Sequence, residues 1–137
     1  MRLLMPMLTV LLATGPALGQ VVIYSYPLDT DPGWTVEGQW AFGQPTGGGG
    51  GSGGGPDPTS GNTGSNVFGY NLAGDYPNDM PATEWLTAGP FDFRGFTGVE
   101  LHFYRWLGVE DSRSDHALIG VSIGGADWVA IWHNWPG

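Results

Sequence analysis

The 137-residue chain contains no cysteine and no lysine, and its four arginines stand against thirteen acidic residues. Without cysteine it can form neither a disulfide nor a thiolate metal site, so stability has to come from packing or from bound cations. With no lysine and a formal net charge of −9, it offers no basic stripe to a phosphate backbone, which argues against nucleic acid as a partner. Past residue 19 it also lacks any long apolar run and any sustained 3.6-residue period with caps. That absence leaves an all-β assignment as the economical one.

What is present begins with the layout of a signal peptide over residues 1–19. Arg2 forms the charged region, LLMPMLTVLLA the apolar region, and Ala17-Leu18-Gly19 a small-residue cleavage site. The apolar run is shorter than the roughly 20 residues a spanning helix needs, so a secreted or cell-surface protein is expected. Cleavage before Gln20 leaves 118 residues, enough for a single domain over 20–137. The acidic excess fits either a soluble secreted surface or carboxylates screened by a hard cation such as Ca²⁺.

Short β-branched and aromatic runs punctuated by turns follow. VVIYSY at 21–26 reads as an opening strand, and Asp29 and Asp31 ahead of Gly33 as a plain turn, since Trp34 and Val36 stand where calcium ligands would continue. WTVEGQWAF at 34–42 is one bent strand or two broken at Gly38, and NVFGYNL at 66–72 and EWLT at 84–87 are further strands. Residues 43–64 collapse into Gly, Pro, Ser, Thr and Asp, which predicts a flexible surface loop. Within it Gly50-Gly51-Ser52-Gly53-Gly54 formally satisfies G-x-S-x-G, but no buried strand precedes it and no helix follows, so a nucleophile elbow is rejected.

The stretch Gly98 to Trp132 organises the rest. Val99, Leu101 and Phe103 alternate with Glu100, His102, Tyr104 and Trp106, and Ala117, Ile119, Val121 and Ile123 alternate with His116, Leu118, Gly120 and Ser122. Gly124-Gly125 then turns the chain into a Trp-rich segment ending at His133. The pattern is that of central strands of an antiparallel β-sandwich.

Several elements in order resemble the MAM-like jelly-roll modules of secreted bacterial proteins, relatives of the accessory domains of immune-inhibitor-type peptidases. They are Asp31-Pro32-Gly33-Trp34, Gly38-x-Trp40-x-x-Gly43-x-Pro45, Asp57-Pro58-x-x-Gly61-x-x-Gly64 and Gly74-Asp75-Tyr76. Leu86-Thr87, Phe91-Asp92, Val99-x-Leu101-x-Phe103-x-Arg105-Trp106-Leu107-x-Val109-Glu110, Asp115-His116-Ala117-x-Ile119-x-Val121-Ser122, and Trp128 with Trp132 complete the series. The resemblance implies an antiparallel jelly-roll β-sandwich. Such modules run through further strands past the Trp128–Trp132 segment, so it also implies a C-terminally truncated sandwich belonging to a longer protein. It implies no enzyme activity in this segment, but a recognition or adhesion module whose partners are other domains of that protein, or an extracellular protein or glycan. The alternatives are the accessory domain of a secreted peptidase whose catalytic part lies elsewhere, and a carbohydrate-binding module.

Four acidic residues at loop or strand ends, Asp57, Asp75, Glu110 and Asp115, are the calcium candidates, structural calcium being what the resemblance implies. The competing reading has Asp57 and Asp75 capping turns and Glu110 and Asp115 pairing with Arg105 or Arg113. Trp34, Trp40 and Trp85 are expected to pack the sandwich, whereas Trp106, Trp128, Trp132 and Trp135 are candidates for a ligand-binding aromatic platform of the kind that stacks on sugars. His102, His116 and His133 lack metal-site spacing, and Glu84, Glu100 and Glu110 lack the arrangement of a glycosidase pair.

Overall fold

The computed structural model describes residues 21–51, 54–78, 80–111 and 113–136, so the signal-peptide reading lies outside the described residues. Within them the regular elements are strands: β1 (Thr35–Val36), β2 (Trp40–Gly43), β3 (Val67–Tyr70), β4 (Leu86–Thr87), β5 (Leu118–Val121) and β6 (Val129–His133). No helix occurs among the described residues. The chain is thus all-β as its alternation predicts, built from three antiparallel two-stranded sheets pairing β1 with β4, β2 with β3, and β5 with β6.

The predicted break at Gly38 separates β1 from β2, and the strands it divides enter different sheets. Gly38 has φ +54°, a conformation that favours residues without a Cβ, and Trp40 N–H closes the turn on Glu37 O at 3.1 Å. In the β2–β3 ladder Trp40 opposes Tyr70 and Phe42 opposes Phe68. These are aromatic cross-strand pairs of the type that stabilise a sheet by about 0.2–1 kcal/mol each. Trp40 and Tyr70 meet edge to face at 5.8 Å, and Trp34 stacks on Phe68 at 4.9 Å.

Glu84 fastens this ladder to β1–β4. Its main-chain oxygen accepts from Trp40 Nε1 at 3.1 Å, and its carboxylate accepts from the Tyr70 hydroxyl. From the β1 side, Glu37 N–H donates to Trp85 O at 2.9 Å, and Trp85 N–H donates to the Glu37 carboxylate at 3.1 Å. A Cβ at Gly38 would overlap the Glu84 carboxylate, so the glycine serves packing as well as the turn.

The β5–β6 hairpin turns at Gly124 and Gly125, φ +64° and +79°, as the glycine pair predicts. Ile119 opposes Trp132 while Gly120 opposes Ala130, which leaves Ile131 as the extra residue of a bulge. Asn134 fastens the open end, with Ala117 N–H donating to its Oδ1 at 2.9 Å and its Nδ2 donating to Asp115 O at 2.8 Å.

Two expected features differ. Residues 21–26 form no strand; instead Tyr24 and Tyr26 pack by their rings on Phe91, Phe93 and Trp34. Residues 99–106, expected as a central strand, run without helix, turn or strand pairing among the described residues. In the glycine-rich stretch Thr46 N–H donates to Leu72 O at 2.9 Å, Asp57 N–H to Gly49 O at 3.3 Å, and Pro45 and Gly49 are buried. No large apolar side chain among the described residues is buried. The aromatic clusters are therefore half-covered layers rather than a closed core.

The two uses of Gly38 can be separated by comparison with Gly33, which has φ +74° but open space around a would-be Cβ. Gly33→Ala should cost about 1 kcal/mol of backbone strain. Gly38→Ala should cost more, because Glu84 must also give up Tyr70. Thermal or urea unfolding of the two variants reads the difference, and equal losses would remove Glu84 from its place as a fastening point.

Candidate functional site

The four acidic candidates, of which the outermost are 58 residues apart in sequence, fall into two pairs, one around Gly49 and one around Tyr76. The first pair surrounds buried Gly49. A Cβ there would run into Asp57 Oδ2 and stand 3.0 Å from Asp75 Oδ1, and Gly50 N–H donates to Asp75 Oδ1 at 2.6 Å. Glycine is thus needed in this loop for close approach of two carboxylates, because no other residue leaves that space. The Asp57 carboxylate also lies beside Gly108, whose would-be Cβ would be 3.3 Å from Asp57 Oδ1. That contact brings the loop against the segment leading to Glu110.

The second pair is joined by Tyr76, the residue after Asp75. Its hydroxyl donates to Asp115 Oδ2 and accepts from Glu110 N–H at 3.3 Å. Partial burial pushes the Tyr76 phenol up to about 12, and the hydrogen bond to Asp115 pushes in the same direction. Neither Glu110 nor Asp115 pairs with Arg105 or Arg113. Arg113 instead bonds Asp111 at 3.1 Å, holding that carboxyl below its ordinary range through the side-chain hydrogen bond, and Arg105 lies 3.7 Å over the Trp132 ring.

As a donor set for a hard cation, the four do not act together. Among the described residues no three His, Cys, Asp or Glu side chains converge as a metal-holding group. Asp115 is engaged by a phenol, whereas Asp57 and Asp75 face each other across a loop rich in main-chain oxygens. Asp57 and Asp75 both stand beside Gly49 with their carboxylate oxygens, the ligand type that calcium takes.

The aromatic candidates lie apart from one another. Trp106 is 60 % exposed, and no ring contact joins it to Trp128 or Trp132 among the described residues. Trp128, 57 % exposed, stacks on Trp85 with ring centroids 6.5 Å apart and planes at 22°. Trp85, expected to pack the sandwich with Trp34 and Trp40, thus joins the surface group. Trp132 is half-buried beneath Arg105. Trp85 and Trp128 thus form an indole pair, and Trp106 stands as a separate exposed ring.

Two arrangements were not foreseen from the sequence. Trp135 is contacted by both His133, stacked at 4.3 Å, and His116 at 4.9 Å, with the His133 ring Nδ1 at 2.7 Å from Trp135 O. Tyr76, next to Asp75 in sequence, links two acids without any local sequence signal for that role. Asp31, by contrast, accepts from Gly33 N–H at 2.8 Å, the plain turn that its sequence suggests. His102 Nε2 lies 2.9 Å from Glu100 Oε2, away from the other two histidines in its contacts.

No protein-family model, curated protein or solved structure matches the chain.

The raised Tyr76 value fixes the sign of its pH effect. A group whose folded pKa exceeds its unfolded value contributes stability below the unfolded value, near 10, and loses it as pH rises towards about 12. Ultraviolet titration should show a phenolate component appearing near pH about 12 that is missing from Tyr76→Phe. The variant should also lose less stability than the parent between pH 10 and pH 12. A titration that the substitution leaves unchanged would remove Tyr76 from the link between Glu110 and Asp115.

Proposed function

We propose that residues 20–137 are a non-catalytic recognition or adhesion module of a secreted or cell-surface protein, part of a MAM-like jelly-roll β-sandwich within a longer chain. The observation that carries the reading is an antiparallel β scaffold that leaves the indoles of Trp106 and Trp128 open to solvent. Aromatic faces are the groups on which extracellular partners anchor. The ordered sequence resemblance from Asp31 to Trp132 supports the jelly-roll assignment. The layout of residues 1–19 supports export.

Carbohydrate is the favoured ligand class within this reading because Trp85 and Trp128 offer two nearly parallel ring faces, the form that stacks against the apolar side of a pyranose. The test is tryptophan fluorescence of the exported chain against a panel of soluble oligosaccharides. A saturable shift that disappears in Trp128→Ala and persists in Trp34→Phe supports it. A panel without response removes carbohydrate and leaves protein partners. Export is tested separately by the intact mass of the secreted product, which should begin at Gln20.

A structural divalent cation is part of the same proposal, narrowed to Asp57 and Asp75. The supporting observation is their convergence over Gly49, where two carboxylates without a cation repel each other. A ligand bound by the folded chain raises its unfolding midpoint by mass action, by about 2.7 kcal/mol at a hundredfold excess over Kd. Calcium should therefore raise the midpoint of the parent and fail to do so for Asp57→Asn with Asp75→Asn, while Glu110→Gln leaves the response intact. Equal midpoints in calcium and chelator would remove the cation.

A further inference from the structure

The register of the β5–β6 hairpin sorts its aromatic residues onto two faces. Directly paired residues share a face, as do residues two apart on one strand. Gly120 with Ala130 and Leu118 with His133 therefore line one side, and Ile119 with Trp132 and Val121 with Val129 line the other. The bulge residue Ile131 shifts the parity along β6. Without it Trp128 and Trp132, four apart, would lie together; with it Trp132 lies on the other face, beneath Arg105, and Trp128 shares a face with His133.

The Gly120 face has an aromatic group at each end. At one, a Cβ on Gly120 would stand 3.6 Å from Trp128 Cε3, and Trp85 stacks on Trp128. At the other, Asn134 N–H donates to Ala117 O at 3.1 Å, which carries the antiparallel pairing on to His116 opposite Trp135. There His116 and His133 both lie against the Trp135 ring, at 4.9 and 4.3 Å. Between the ends the paired residues Gly120 and Ala130 have almost no side chain to raise above the strands. Trp128, Ala130 and His116 are all exposed, so solvent reaches this face at both ends and in the middle.

Resting on the carbohydrate reading of the Trp85–Trp128 pair, we propose that this face binds one linear, neutral oligosaccharide lengthwise. One pyranose stacks on Trp128, the next rings lie over Gly120 and Ala130, and a further ring is held at His116. From Trp128 to Trp135 the strand takes six regular steps and one bulge, so at about 3.3 Å per step the two ends stand roughly 20 Å apart. That is the reach of several joined rings and not of one. A ribbon of rings can lie flat here because glycine and alanine stand where strands ordinarily carry β-branched side chains.

Charge selects a neutral chain. The residues of this face include neither carboxylate nor arginine, and the protein as a whole carries a formal −9, so an acidic glycan meets repulsion with no arginine there to offset it. Sugar hydroxyls are met by imidazole, which has both a donor and an acceptor nitrogen. A peptide strand would instead take a sheet edge, since its main-chain hydrogen bonds run in the plane of the sheet.

The test titrates the exported chain with cello-, chito- and manno-oligosaccharides, each as disaccharide and hexasaccharide, and with a hexamer of galacturonic acid. In at least one neutral series the hexasaccharide should bind about tenfold tighter than the disaccharide, and the acidic hexamer should not bind. Ala130→Val should weaken the hexasaccharide by about tenfold, because even a small gap between ring and floor forfeits contact energy. Its unfolding midpoint should stay level or rise, since valine favours strands and the position is exposed. His116→Ala should weaken the hexasaccharide and spare the disaccharide, while Val129→Thr on the opposite face should change neither. Equal affinities for the two lengths, a hexasaccharide indifferent to Ala130→Val and His116→Ala, or binding of the acidic hexamer would each overturn the lengthwise site while carbohydrate binding at Trp128 stands. Silence from every sugar overturns both.

Discussion

Glu84 is the group on which the ordered half of this molecule depends, because it is where two separate strand ladders meet. Its main-chain oxygen holds the indole of Trp40 and its carboxylate holds Tyr70, while the bare backbone of Gly38 gives it room. Without that junction, β1–β4 would be two residues paired with two, far below the size at which an isolated strand pair persists in water. Tied to the aromatic ladder of β2 and β3, it becomes part of a larger unit. The ion pairs cannot take over this work. Arg94–Asp92 and Arg113–Asp111 each join residues two apart, with both arginine side chains about nine-tenths exposed, and such surface pairs contribute about 0–1 kcal/mol.

The parts of the fold that were legible in sequence are those governed by local chemistry. The glycine break at 38, the strands within 66–72, 84–87 and 117–123, and the turn at Gly124-Gly125 all occur where composition places them, because β-branched and aromatic residues and positive-φ glycines act within a few residues. Pairing partners were not legible, since they depend on contacts distant in sequence. Alternation in 99–106 states that a strand can form there without stating what would complete its hydrogen bonds. The bulge at Ile131 was equally hidden, because it is a property of two strands and not of one.

The candidate site divides along the same line. Acid positions at loop ends were readable. Their grouping into Asp57 with Asp75 and Glu110 with Asp115 was not, because it depends on a glycine that admits two carboxylates and on a tyrosine hydroxyl that takes up the other two residues. In the fold, glycine there has a steric purpose: buried Gly49 lets carboxylates approach where a methyl group could not fit. The indoles follow the same rule, for exposure could be guessed from alternation, but the stacking of Trp85 on Trp128 joins β4 to the start of β6 and required the third dimension.

Incomplete burial and strong acidity make sense together. With no large apolar side chain buried among the described residues, each exposed Leu, Phe and Trp forgoes the roughly 25 cal/mol per Å² that burial would supply, and the same surfaces favour indiscriminate association. A net negative charge opposes that association at long range without altering the short-range complementarity of a particular surface. Its effect is selective: contacts that crowd carboxylates are penalised, and those over acid-free stretches are spared. The interval from Leu101 to Val109 carries no carboxylate, so the repulsion between like-charged surfaces is weakest over that stretch.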